Sequence, residues 1–133
     1  MDFNEFCKEL ETTIKNSYEE GTTLDEAEKL AAKFLFAQIQ VSNHLKSADL
    51  DTRMRKSGVK AVRAAVYADT CAKHEKKPTV DALEHALNSN GLVNEQQQEL
   101  DKAEVSKNEL ERLYDVFSNA HIYYRGIAKG RFE

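Results

Sequence analysis

The chain has 133 residues, is 32% charged and 41% apolar, and carries 19 basic against 23 acidic side chains. That length suits one domain with a real core rather than two, and the composition excludes both a compositionally disordered chain and a membrane-embedded one. No run approaches the roughly 18 apolar residues of a spanning helix.

The stretch MDFNEFCKEL is acidic where a signal peptide needs a positive segment and then an apolar one, so the expected location is cytoplasmic. Cys7 and Cys71 have no C-x-x-C or metal-ligand spacing and read as free thiols. One proline, five glycines and no sustained period-2 alternation predict an all-α protein. The expected architecture is a helical bundle of four to five helices with a long C-terminal helix. It forms one domain over 1–133: acidic N-terminal helices (1–48), a basic helix (49–77), then a short helix and the long one (79–133).

The first helix, from about Asp2 to Glu20, has Phe3, Phe6, Leu10, Ile14 and Tyr18 at helical spacing, and Gly21 suits the position after its end. Thr23 opens the second with Glu26 three residues on, a capping box. Its expected buried face is Leu24, Ala27, Leu30, Ala31, Phe34, Leu35, Gln38, Val41 and Leu45. SNHLKSADLD, at 42–51, either bends the chain or, lacking proline and glycine, lets the second and third helices run on as one rod.

The third helix is expected over about 50–74. KHEKKP ends it, because Pro78 disfavours helix at Lys77. Thr79 caps a short helix with Leu83, Ala86 and Leu87 inward, Asn90 and Gly91 make a turn, and Asn94 with Gln97 caps the last helix, about 95–128. There Ala103, Leu110, Phe117 and Tyr124 interleave with Ser106, Leu113, Ala120 and Ile127 in a 3-4 seam. Beyond the second and third helices no partner of similar length stands in the chain, so the seam residues Leu110, Leu113, Phe117, Ala120 and Tyr124 are expected to be satisfied partly between subunits of a homo-oligomer.

Charge is segregated along the chain. Residues 1–45 hold four basic and nine acidic side chains, 46–77 nine and four, 78–118 three and nine, and 119–133 three and one. Within the basic block, Arg53, Lys56, Lys60 and Arg63 fall in a sector of roughly 80° on one helix face, with Tyr67 in the same sector. Met54, Gly58, Ala61, Ala65 and Ala68 lie opposite and are expected to pack. The cations read as free of acids at four-residue spacing. Lys73, Lys76 and Lys77 lie nearby, and HIYYRGIAKGRF adds Arg125, Lys129 and Arg131 among Tyr123, Tyr124 and Phe132.

Cations that track phosphates, mixed with rings that stack on bases, are what single-strand binding uses. The plainer readings are a solvated face for the cations and seam packing for Tyr124. A membrane-surface helix is disfavoured, because alanine and glycine stand where insertion needs Trp, Phe and Leu. The chain offers no enzymatic constellation. His44, His74, His85 and His121 form no paired ligand motif, Asp81 with His85 reads as a solvated pair rather than a metal site, and there is no Gly-rich phosphate loop or nucleophile elbow. No metal or cofactor is expected, and no enzymatic activity.

RMRKSGVKAVRAAVY, then a Lys/Pro loop, a short capped helix and a long helix ending in RGIAKGRFE resemble phage recombination mediators of the UvsY type over roughly residues 50–133. The matching positions are Lys56, Lys60, Ala61, Arg63 and Tyr67, then Arg131, Phe132 and Glu133. The chain departs from that pattern at Tyr67-Ala68-Asp69, where the family often has a tyrosine-glycine turn. The resemblance implies a ring-like homo-oligomer in a bacterial host cell that binds single-stranded DNA. Such a protein helps load a recombinase in place of a single-strand-binding protein.

The sequence does not separate DNA from RNA. Two other readings stay open. One is a non-enzymatic helical interaction protein (phage adaptor, virion component or host-defence antagonist) whose cations dock an acidic protein surface. The other is a helical subunit of an RNA-guided complex.

Overall fold

The computed structural model describes residues 2–130. They form four helices, α1 (Phe3–Glu20), α2 (Leu24–Ala72), α3 (Val80–Ser89) and α4 (Gly91–Ala128), and no strand. The expected all-α bundle with a long last helix is the architecture found. Of the two courses open at 42–51, the chain takes the single rod, and α2 runs unbroken for 49 residues. Side chains bond within the helix across this stretch. Thr52, buried, returns its hydroxyl to the Ala48 carbonyl at 2.8 Å, and Asp49 and Asp51 each pair with an arginine four residues on.

The helix starts follow from capping. The Asp2 carboxylate accepts from the Glu5 N–H at 2.8 Å, Thr23 and Glu26 form the expected box, and Thr79 accepts from the Ala82 N–H. Gly21, at φ 83°, leaves α1 through a conformation only glycine takes readily. The start of α4 corrects the sequence reading. Asn90, not Asn94, is the cap: its side-chain oxygen accepts from the Val93 N–H at 3.0 Å, and Asn94 instead donates to the Asn88 carbonyl. Burial of Val93 accompanies the earlier start.

The chain divides into two compact units, one holding α1, α2 up to Leu45 and α4 from Glu109, the other Lys46–Asn108. The core of the first unit is aromatic at its centre. Phe34 of α2 stacks on Tyr124 (centroids 5.5 Å) and tilts against Phe117 (5.7 Å), with Cys7, Leu10, Ala27, Ala31, Ala37, Val41, Leu113 and Ala120 around them. Leu24 and Leu35, expected inside, are about half exposed, as Ala37 takes the inward position. Tyr18, expected on the buried stripe of α1, is 88% exposed.

The seam of α4 is therefore closed within one chain. Leu113, Phe117, Ala120 and Tyr124 are buried and the half-buried Leu110 packs against them, so most of the seam is covered by the same chain. Periodicity gives a packing face and not the identity of what packs on it. Arg112 bonds both Glu109 and Glu11, tying α4 to α1, and His121 Nδ1 lies 2.8 Å from the Ala31 carbonyl. In the second unit, Val59, Leu83, Leu87, Val93 and Leu100 are buried together with Thr52.

Candidate nucleic-acid interface

In the second unit α2 buries the row that begins at Thr52 and Val59 and continues, half-buried, through Val62, Val66 and Thr70. β-Branched side chains remove more apolar surface from water than alanine can, so this row wins the packing face. Gln96 of α4 stands against Gly58, and Arg55 reaches both Asp51 and Glu99. The face expected to pack is instead open. Met54 is 65% exposed, Ala61, Ala65 and Ala68 are exposed, and only Gly58 is partly covered.

The cationic row runs along the edge of the buried face. Arg53, Lys56 and Lys60 are exposed, Arg63 is half-buried with room for its stem to lie on apolar surface, and the Tyr67 ring is 42% exposed. Arg53 to Tyr67 covers about 21 Å at the helical rise.

The expectation that these cations lack acids at four-residue spacing fails at Arg53, which pairs with Asp49 at 3.1 Å. Lys56, Lys60 and Arg63 take part in no ion pair among the described residues. Lys73, in the following turn, pairs with Asp69 at 2.9 Å. Asp49 also receives Lys107 of α4 at 3.0 Å. That hydrogen bond first, with the charges of Arg53, Lys107 and Lys56, holds its carboxyl below the ordinary carboxylate range against the opposing effect of burial. Lys107 was not singled out in the sequence, because only the fold brings 107 beside 49.

The second predicted patch belongs to the first unit. Arg125 and Lys129 are exposed at the end of α4, Tyr123 is half-exposed with its ring edge against Tyr124, and Tyr124 is core. Arg131 and Phe132 lie outside the described residues.

Among the described residues no three His, Cys, Asp or Glu side chains converge on a metal position. His44 stacks on Phe3 and the His74 ring meets the Thr70 carbonyl. Cys7 is buried, and that burial, more than the nearby Glu11 and Glu109, pushes its thiol up. No helix among the described residues is long and apolar enough to cross a membrane. What the row offers chemically is a line of hydrated cations ending at a ring. No family model, curated protein or solved structure matches the chain.

Proposed function

We propose that the protein binds single-stranded nucleic acid along the exposed edge of α2 and is not an enzyme. The observation that carries this reading is Lys56, Lys60 and Arg63, spaced by four and three residues, without ion-pair partners among the described residues and in line with the exposed ring of Tyr67. The cations neutralise successive phosphates and the ring stacks on a base, a mode that tolerates any sequence. Arg125 and Lys129, with Arg131 beyond the described residues, form a second basic patch, on the first unit.

The likeness to UvsY-type mediators extends the proposal to a phage homo-oligomer acting in the host cytoplasm. It would help a recombinase replace a single-strand-binding protein on DNA. Three cations per chain are modest, and repetition across subunits would multiply them.

The test is binding of fluorescent oligonucleotides of several sequences to the wild type and to the Lys60→Ala/Arg63→Ala variant. The variant is expected to lose on the order of tenfold in affinity at low salt, equally for every sequence. Equal affinity of the two proteins would remove the row as the site.

One observation favours a second reading. Leu50 and Met54, 61% and 65% exposed, lie on the open side of α2 away from the cations, and a helix that presents both an apolar strip and a cationic row also suits an acidic protein surface. A helical interaction protein of that kind would bind oligonucleotides weakly at moderate salt.

A further inference from the structure

The cationic row does not begin at Arg53. One step back at the same spacing is Asp49, so the series 49, 53, 56, 60, 63, 67 keeps one alternation of four and three residues. Asp49 holds two cations, one on each oxygen: the Arg53 guanidinium at 3.1 Å on Oδ2 and the Lys107 ammonium at 3.0 Å on Oδ1. Lys107 comes from α4, and its side chain and that of Asp49 are only 29% and 35% exposed. An arginine and a lysine closing on two oxygens of one anion is how proteins grip a phosphate, and carboxylates and phosphates are interchangeable partners for that grip.

We infer that Lys107 belongs to the nucleic-acid site and that Asp49 occupies the position of a strand phosphate there, an internal competitor that silences both Arg53 and Lys107. The inference rests on the reading of the row as a nucleic-acid site. It divides the row in two. Lys56, Lys60 and Arg63 meet the strand in the resting protein, whereas Arg53 and Lys107 are spent on Asp49. The carboxylate thus sets the affinity below what the five cations could give, which keeps binding reversible. Asp51 provides an internal comparison, since it is two residues away and pairs with Arg55, whose position lies off the row on the α4 side.

The experiment measures affinity and its salt dependence for a thymidine oligonucleotide, with helicity and unfolding midpoint followed in every variant. Asp49→Asn, which keeps the side chain's shape, is expected to bind on the order of tenfold tighter at low salt. Its slope of log K against log salt should steepen from about −2 to about −3.5, since each phosphate on a single strand contributes about −0.7. Asp51→Asn removes the same charge and is expected to change affinity less than twofold.

Arg53→Ala tests the idea without disturbing Asp49. It is expected to cost less than twofold alone, but several-fold in the Asp49→Asn background, where Lys107→Gln should also flatten the slope by about 0.7. Three results overturn the inference while leaving the row as a binding site: equal gains from the two aspartate variants, no gain from Asp49→Asn, or a loss from Arg53→Ala as large as that from Lys60→Ala. Absence of binding by the wild type and Asp49→Asn alike overturns the inference and the reading beneath it together.

Discussion

Phe117→Ala is expected to destabilise the protein by about 3–5 kcal/mol, the range for truncating a fully buried aromatic side chain. Phe117 is fully buried, and its ring meets Phe34, which in turn stacks on Tyr124, so removing it opens a cavity where three rings support one another. Urea unfolding followed by helicity measures the loss. Because Phe34 and Phe117 touch, the double variant Phe34→Ala/Phe117→Ala should lose less than the sum of the single changes. If the α4 seam were instead an interface between subunits, the loss would depend on protein concentration, and here it should not.

The second large effect separates the two faces of α2. Val59→Asn places an amide where the side chain is 6% exposed and is expected to cost about 2–3 kcal/mol through an unsatisfied polar group. Ala65→Asn, on the open face, should cost no more than its helix propensity, well under about 1 kcal/mol. Comparable losses at the two positions would mean that the alanine face is covered in solution. Thermal unfolding of the two variants side by side decides it.

Much of this architecture is written locally. Gly21, the Thr23–Glu26 box, Thr79 and Pro78 act within a few residues of themselves, so their consequences can be read without the fold. The apolar positions of α4 were legible for the same reason. What covers them was not, since a 3-4 repeat is satisfied equally by another subunit or by α1 and α2 folding back.

The packing face of the basic segment was misread because alanine and glycine suggest close approach by size. The stronger drive belongs to the Thr52, Val59, Val62 and Val66 row, which buries more surface. Asn90 and Asn94 are equally good caps in isolation, and burial of Val93 accompanies the choice of the first. The cations at 56, 60 and 63 were legible as a row. The pairing of Asp49 was missed: Arg53 lies one turn away in sequence, but Lys107 is brought to the same carboxylate by the packing of α4 on α2.

The central claim is that Lys56, Lys60 and Arg63, without ion-pair partners among the described residues, meet three phosphates of a single strand. The most direct measurement is the oligonucleotide binding constant across a series of salt concentrations, for the wild type and for Lys60→Ala/Arg63→Ala. The predicted result is a slope of about −2 for the wild type and about −0.7 for the variant. A wild-type slope near zero, or the same slope in both proteins, contradicts it.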